Sequence, residues 1–250
     1  MSSVCFLGTS NAVPYMNHEN TCLSVHHAEE VILVDCPASP MPRLMQAGID
    51  PLDVNHLILT HFHPDHVGGV PLFLMNVWLM GRTKPLNIYG IEDCIGRLEQ
   101  LMDLYRWETW PDLFPVKFMR IPRKEKTPVV HVGELDVSAT PVKHIIPTIG
   151  LSFKDTRTEG KLIYSSDTEP CETVISLAKD GDILIHEANG DMSGHSSAAQ
   201  AGGVAEAAGV ETLVLIHYPE AISESELLKQ AEKTFSGVIR IARDMDRIEF

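Results

Sequence analysis

Cysteine, basic residues and long apolar runs are all scarce in this chain of 250 residues. The five cysteines are odd in number and form no Cys-x-x-Cys pair. That pattern argues against a disulfide framework and for reduced thiols in a cytoplasm. The longest apolar stretch, Pro71 to Met80, is interrupted by Asn76 and falls well short of the roughly 18 apolar residues that a membrane span needs. The N-terminus lacks the basic region of a signal peptide, so we expect a cytoplasmic protein.

Basic side chains are outnumbered, with 20 lysines and arginines against 34 acidic residues and a net charge of −14. Binding to a nucleic-acid backbone draws on clustered lysine and arginine. The one short basic cluster, Arg120 to Lys126, is typical of a solvated loop. The composition therefore disfavours a nucleic-acid partner, but it leaves room for a small phosphorylated substrate held by metal ions.

Metal-binding residue types are concentrated in one segment. His61, His63, Asp65 and His66 lie within six positions, after an apolar run and before Gly68-Gly69. Histidines two apart on an extended backbone point the same way and can hold one ion. Asp65 and His66 follow at a turn, from which they can reach a second ion. Imidazole with carboxylate suits zinc, with iron or manganese as the alternatives. Histidines that only cap or pack are the other interpretation, but four donors in this order favour a metal site.

The rest of the chain alternates predicted strands and helices, without a linker, repeat or low-complexity tract. The predicted strands are Val4–Leu7, Thr21–His26, Val31–Asp35, Leu57–Thr60, Asn87–Tyr89, Leu135–Thr140, Ile149–Phe153, Lys161–Ser165, Ile183–His186, Thr212–His217, Val238–Ala242 and Arg247–Phe250. The predicted helices are Gly69–Met80, Ile91–Leu104, Cys171–Ala178, Ser196–Ala208 and Leu227–Thr234. Strands with helices outside them indicate layered α/β packing. A chain that is 44% hydrophobic can bury one large core, so we predict a single domain over residues 1–250.

The motif His61-x-His63-x-Asp65-His66 resembles the signature of the metallo-β-lactamase superfamily of metal-dependent hydrolases. Further segments, running from the first strand to about His217, resemble its ribonuclease Z-like branch. These segments are Gly8-Thr9-Ser10 with Pro14, Gly81 to Gly90, Tyr164 to Pro170, His186-Glu187-Ala188 and His195-Ser196-Ser197. The resemblance implies an α/β fold, a four-layer αββα sandwich of the metallo-β-lactamase type. Its two sheets lie face to face, helices cover both sides, and the site lies at one edge.

The resemblance also implies a dinuclear centre, taken to be two zinc ions with manganese or iron as the alternatives. Seven side chains are implied as ligands: His61, His63 and His144 for the first ion, Asp65, His66 and His217 for the second, and Asp167 as a bridge between them. His144, Asp167 and His217, the last three of these residues along the chain, each follow a predicted strand. Two such ions can share a hydroxide that attacks the substrate. Asp35, at the end of its strand, is expected to orient ligands and not to bind metal.

Three residues are candidates for catalysis. Asp65 is placed to orient or deprotonate the attacking water. Glu187 and His195 resemble the ribonuclease Z pair that supports proton donation to the leaving oxygen, with His195 as the donor. The alternative for this pair is a hydrogen bond that holds a ligand rigid, and the short segment between the two residues departs from the family's spacing.

Three departures weaken the case for transfer-RNA processing. Only 22 residues separate His144 from Asp167, which leaves no room for the long arm that ribonuclease Z enzymes often carry there. Glu19 stands where the family commonly has arginine, and the net charge is −14. We therefore predict a dinuclear hydrolase, a phosphodiesterase acting on a small or cyclic nucleotide-like phosphodiester. The alternatives are a ribonuclease Z-type transfer-RNA 3′-processing endonuclease, a lactone, thioester or sulfate-ester hydrolase, and a non-catalytic binding protein on the same fold.

The predicted partners are a small-molecule substrate and a second copy of the chain, with no membrane. Trp107 and Trp110 lie in an aromatic segment between Leu104 and Pro115. Rigid aromatic side chains of this kind either line a substrate pocket, pack against the body of the protein or form a dimer interface.

Overall fold

The computed structural model describes residues 1–250, and its strands form two sheets of seven strands each. The first sheet contains β1 (Ser3–Gly8), β2 (Cys22–His27), β3 (Glu30–Val34), β4 (Val54–Ile58), β5 (Leu86–Ile91), β6 (Val116–Ile121) and β14 (Arg247–Glu249). The second contains β7 (Thr127–Val132), β8 (Leu135–Val142), β9 (Thr148–Asp155), β10 (Lys161–Tyr164), β11 (Ile183–Glu187), β12 (Thr212–Ile216) and β13 (Val238–Ile241).

Both sheets follow the same plan, in which antiparallel pairs give way to parallel ones. The first has the order β14-β1-β2-β3-β4-β5-β6 and becomes parallel from β3 onward. The second has the order β13-β12-β11-β10-β9-β8-β7 and is parallel between β10 and β13. Parallel strands end at the same edge of a sheet, where ligand sites form. Because β14 returns to pair with β1, we propose that residues 1–250 form one domain.

Helices cover the outer faces of both sheets, so the predicted αββα sandwich is confirmed. The helices are α1 (Met41–Gln46), α2 (Pro64–Val67), α3 (Val70–Leu79), α4 (Glu92–Leu104), α5 (Glu172–Ala178), α6 (Ala198–Ala208) and α7 (Glu224–Ala231). The α4 helix packs on β5 and β6, and α5 to α7 pack on the second sheet. Residues of β12 alternate between the cores: Val214 and Ile216 join the larger core, and Leu213 and Leu215 join the smaller one beneath α5 to α7. None of the helices has the length and apolar character needed to cross a membrane.

Local sequence explains where α6 begins and ends. Ser197 and Gln200 form a capping box at its N-terminus, and Gly209 follows it in the left-handed conformation with φ 72°. A Cβ added at Gly202 would lie 2.8 Å from the carbonyl oxygen of Ala231, so glycine permits close packing against α7. This helix places His195 and Ser196 immediately before its first turn.

The sequence pattern did not predict α1, α2, β6 and β7. The two strands lie at sheet edges and are largely or partly exposed, so they lack the apolar alternation that marks a half-buried strand. The prediction that Arg120 to Lys126 is a solvated loop is wrong for Arg120, which lies in β6 and pairs with Glu92 and Glu99 at 2.8 and 2.6 Å.

The aromatic segment packs against the body of the protein. Trp110 stacks on Trp78 with ring centroids 5.2 Å apart, and Trp107 lies 5.7 Å from Phe118. Both tryptophans are half-buried against the larger core.

Candidate metal centre and active site

Sharp turns at strand ends deliver the candidate ligands. Asp35 follows β3 with φ 60°, Ser166 follows β10 with φ 55°, and His217 follows β12 with φ 53°. Positive φ is uncommon outside glycine and persists only where the surroundings hold the backbone in place. After β4 the chain continues through His61 and His63 into α2, which carries Asp65 and His66. The first four donors therefore come from the first sheet, and the others come from the second.

The structure brings His61, His63, His144 and Asp167 into one cluster, with donor atoms within 4.8 Å of one another. The Nδ1 atom of His63 lies 3.0 Å from Nε2 of His61 and 3.1 Å from Nε2 of His144. A single proton on that nitrogen can serve only one of these contacts. Nδ1 of His61 and of His144 hold their protons in hydrogen bonds to Thr60 and to Gly194, so their Nε2 atoms carry lone pairs. At least one of the two close nitrogen pairs therefore has no hydrogen between its atoms, and a cation at that place would remove the repulsion between the lone pairs.

Asp65, His66 and His217 form a second cluster beside the first, again with donor atoms within 4.8 Å. Asp167 adjoins both clusters: its Oδ2 lies 3.9 Å from Nε2 of His61, 3.5 Å from Nε2 of His66 and 3.3 Å from Nε2 of His217. The Oδ1 atom of Asp167 and the Nε2 atom of His66 are buried without a hydrogen-bond partner. Buried polar atoms of native proteins are seldom left unpaired, so these atoms fit metal ligation.

Four of the histidine rings form hydrogen bonds through Nδ1, on the side away from the donor clusters, so their Nε2 atoms face the clusters. Nδ1 of His144 donates to the carbonyl oxygen of Gly194 at 2.6 Å, and Nδ1 of His66 donates to Asp35 at 2.8 Å. Nδ1 of His61 and of His217 donate to threonine hydroxyls, 3.0 Å to Thr60 and 3.1 Å to Thr21. This arrangement fixes the tautomer of each ring and is typical of metal-binding histidines.

Asp35 contacts the site as an orienting residue and belongs to neither donor cluster. Its buried carboxylate accepts hydrogen bonds from the backbone N–H of Thr60 at 2.8 Å, from the Thr60 hydroxyl at 2.9 Å and from Nδ1 of His66. One side chain thus supports His66 directly and His61 through Thr60.

Burial lowers the pKa of most of the imidazoles and so favours the neutral form that binds metal. It lowers the pKa of His61 and His144, and it lowers the pKa of His217 to about 4. His66 is the exception among the candidate ligands. Burial acts to lower its pKa too, but the charges of Asp167 and Asp35, together with the hydrogen bond to Asp35, outweigh burial and raise the pKa of this imidazole well above the usual range.

Burial opposes ionisation of Asp167, but the neighbouring His217 and His66 outweigh it and hold the pKa of this carboxyl well below its usual range. Imidazoles that are mostly neutral, around an ionised carboxylate, form a donor set that suits a divalent cation, and a cation would take the place of the proton that the carboxylates favour on His66. The clusters therefore indicate divalent-metal binding.

His195 and Glu187 are in contact at the side of this site. Nδ1 of His195 donates to Oε1 of Glu187 at 2.9 Å, and His195 lies 3.9 Å from Oδ2 of Asp167. The ring of His195 also lies with its centroid 4.9 Å from that of His144. Burial raises the pKa of Glu187 to about 7. Burial opposes the charged form of His195 too, but the hydrogen bond and charge of Glu187 outweigh it and raise the pKa of the imidazole.

Several residues that support the site were missed by the sequence analysis. Thr21, Thr60 and Gly194 each bond to a candidate ligand. Glu169 bonds to the backbone of Gly194. Thr60 precedes His61 and so carried a local signal, whereas the others act across long sequence separations.

The fold of this chain is shared with known proteins, and its sequence matches a family model and curated relatives along nearly its whole length. A family model described as anti-Pycsar protein Apyc1 matches residues 2–241. Ribonuclease Z of Methanothermobacter thermautotrophicus is 26% identical over 310 aligned positions, which cover 100% of this chain and 97% of that protein. The metallo-β-lactamase fold protein YhfI from Bacillus subtilis superposes with a TM-score of 0.85 at 22% identity, covering 99% of this chain and 98% of that one.

Human tRNase Z, short form, superposes with a TM-score of 0.81 at 22% identity, again covering 99% of this chain and 98% of that one. The segment between His144 and Asp167 holds only a short loop, β9, a turn and β10, so no long arm is present. The predicted resemblance to ribonuclease Z without that arm is confirmed. The chain is a metal-dependent hydrolase of the metallo-β-lactamase fold, and it belongs to the family of the anti-Pycsar protein Apyc1.

Proposed function

We propose that this hydrolase is a phosphodiesterase that acts on a small or cyclic nucleotide-like phosphodiester with two zinc ions as cofactor. The observation that carries the proposal is the set of donor clusters that meet at Asp167. A ring nitrogen of His195 also lies within 4.8 Å of the donor atoms of Asp167 and His217. In this proposal His61, His63 and His144 would hold one ion, Asp65, His66 and His217 would hold the other, and Asp167 would serve as a ligand to both. Ions at these positions would lower the pKa of a shared water and neutralise charge on the phosphoryl oxygens.

The chain's own residues then orient the nucleophile and move the proton. Asp65 is the more exposed carboxylate of the site, and it lies 3.5 Å from Nε2 of His66. From there it can accept a hydrogen bond from an attacking water. On the other side, His195 in its protonated form can give a proton to the leaving oxygen, while Glu187 holds the ring and supports its charge. A cavity of about 300 Å³ adjoins His195 and offers room for part of a substrate.

A small substrate is favoured over structured RNA because the features that would grip a polyanion are missing. Residues 143–147 form only a short loop between β8 and β9. The net charge is −14, which disfavours long-range attraction of a polyanion. The second candidate function is transfer-RNA 3′ processing, which is favoured by the sequence relatives that are ribonuclease Z.

A substrate panel separates these functions. We expect cleavage of bis-aryl and cyclic phosphodiesters in zinc or manganese, slow or absent cleavage of phosphomonoesters, lactones and sulfate esters, and intact precursor transfer RNA. Elemental analysis of protein purified without chelator should give close to two metal ions per chain. Site-specific trimming of precursor transfer RNA at physiological salt would make ribonuclease Z the function. A metal content well below one ion per chain would contradict the dinuclear site.

We also propose a homodimer. Apolar side chains of α3 and of the end of α4 are unusually exposed: Leu79 by 68%, Leu104 by 81% and Tyr105 by 57%. Association of two copies of the chain would remove these apolar side chains from water. Size measurement by light scattering should give twice the chain mass, and replacing Leu79 and Leu104 with glutamate should give a folded monomer.

A cytoplasmic location remains our proposal. All five cysteines are unpaired, and four of them are buried. Free thiols are the ordinary state in a reducing compartment. Fractionation of cells that make the protein, with a disulfide-bonded marker as the control, tests this directly.

A further inference from the structure

Gly194 connects a candidate metal ligand to the candidate proton donor. Its carbonyl oxygen accepts the 2.6 Å hydrogen bond from Nδ1 of His144, and its chain neighbour is His195. Its φ is +84°, and an added Cβ would lie 2.9 Å from Nδ1 of His144 and 2.9 Å from Cγ2 of Ile145. The position therefore requires glycine, and any movement of this peptide would shift both imidazoles.

The carboxylate of Glu169 holds the backbone of Gly194 in place. Oε1 of Glu169 accepts a hydrogen bond from the Gly194 N–H at 2.9 Å, and its Oε2 pairs with Nζ of Lys143 at 2.5 Å. The backbone N–H of Glu169 also donates to the carbonyl oxygen of Lys143 at 2.7 Å. Glu169 lies two residues after Asp167, so its own place is set by the strand end that presents the proposed bridging ligand.

The residue before Glu169 holds the same loop on its other side. The N–H of Thr168 donates to Oε1 of Glu187 at 3.1 Å, the oxygen that also accepts from His195. The carbonyl oxygen of Thr168 accepts from the Ser196 hydroxyl at 2.6 Å. The loop is thus held at Gly194, at His195 through Glu187, and at Ser196, and Glu169 supplies the contact that reaches His144.

We propose that Glu169 is a positioning residue, which fixes the Gly194 peptide and thereby aligns His144 with the metal site and His195 with the leaving group. This inference rests on the proposed function for the role of His195. The effective contact is the hydrogen bond to the Gly194 N–H, because it acts on the same residue whose carbonyl oxygen accepts from His144. In the ion pair with Lys143, the lysine side chain is 64% exposed. Exposed ion pairs contribute little to stability.

Three variants and a control separate these contacts. Glu169→Ala removes both contacts, Glu169→Gln keeps an oxygen that can accept from Gly194, and Lys143→Met removes the ion pair alone. Glu172→Ala is the matched control, because this exposed glutamate makes no ion pair and no side-chain hydrogen bond. Each full-length protein, as purified, is compared by hydrogen exchange over residues 190–196, by zinc retention against a chelator, and by kcat with poor and activated leaving groups.

We expect Glu169→Ala to exchange the Gly194 amide at least about tenfold faster than wild type, since the local hydrogen bond is lost. Zinc retention and kcat should fall by about 10- to 100-fold, the scale seen when a partner of a metal ligand is removed. The loss of kcat should be larger with the poor leaving group. Glu169→Gln should restore most of each property, and Lys143→Met and Glu172→Ala should resemble wild type.

Two results would overturn the inference. One is wild-type exchange, zinc retention and kcat in Glu169→Ala. The other is a folded Glu169→Gln that is as impaired as the alanine variant, which would show that charge and not the Gly194 contact matters. Exchange and zinc retention need no substrate. If wild type cleaves no phosphodiester while these two readouts change as expected, the proposed function fails and the positioning of Gly194 and His144 by Glu169 stands.

Discussion

Replacing Asp35 with asparagine is expected to weaken metal binding while the fold remains. Asparagine keeps one accepting oxygen for Thr60, but it presents an NH₂ group where a carboxylate oxygen now accepts from Nδ1 of His66 at 2.8 Å. To avoid two opposed donors, the imidazole of His66 must move its proton from Nδ1 to Nε2. Nε2 is the nitrogen that faces Asp167 at 3.5 Å, so the proton would occupy the ligand position.

The expected loss of zinc affinity is about 10- to 100-fold, as for other partners of metal-bound histidines, which corresponds to about 1.4 to 2.8 kcal/mol. Competition titration against a chelator measures it. Asp155→Asn is the control, because Asp155 is equally buried but lies away from the candidate ligands. It accepts hydrogen bonds from Ser2 and from two backbone N–H groups of a turn, and it lies 3.7 Å from Nδ1 of His27. Both variants should lose about 1–3 kcal/mol of stability, but only Asp35→Asn should lose metal affinity. Equal zinc affinity in the two variants would refute the proposed control of the His66 tautomer by Asp35.

Three further predictions address metal, proton transfer and pH. Asp167→Ala should deplete both metal sites in elemental analysis, whereas His61→Ala should mainly deplete one; equal depletion would contradict a bridging role. His195→Ala should keep its metal content and lower kcat by about 10²–10⁴-fold with a poor leaving group but less with an aryl one. Glu187→Gln should lower kcat in the same pattern but more mildly. Equal losses with both leaving groups would show that His195 only shapes the site. Burial acts to raise the pKa of Asp155, but hydrogen bonds from Ser2 and the backbone outweigh it and lower the value to about 2 from 3.8. The stability that ionised Asp155 contributes is therefore present above about pH 4 and is lost as the pH falls toward 2. The difference in free energy of unfolding between wild type and Asp155→Asn, measured in urea, should shrink over that range. A constant difference would contradict this prediction.

The sequence predicted the strands that position the site because those strands are buried and strongly apolar. Thr212 to His217 is one example, in which five strand-forming residues precede a histidine and the structure places β12 at Thr212–Ile216. The spacing of His61 and His63 predicted that both rings face one place, and their nitrogens lie 3.0 Å apart. Residue patterns alone did not unite these rings with His144, Asp167 and His217; that grouping came from the family resemblance.

Other parts of the molecule could not be predicted, for physical reasons. The edge strand β6 is mostly exposed, so nothing in its local sequence required a strand. The contacts of Gly194 with His144 and Glu169 join residues 50 and 25 positions apart. Such contacts depend on how two loops meet after the sheets have packed, and neither loop has a sequence motif that predicts its contact with the other.

The division of the donors between the two sheets has a consequence for how the protein matures. During synthesis, His61 to His66 leave the ribosome well before Asp167 and His217 exist, so a nascent chain can offer only a weak, incomplete set of ligands. The full set appears when the second sheet has docked on the first, which also requires β12 to have paired with β11. Metal uptake should therefore be the last event, and a tightly held ion would mark a chain whose two sheets have already assembled correctly.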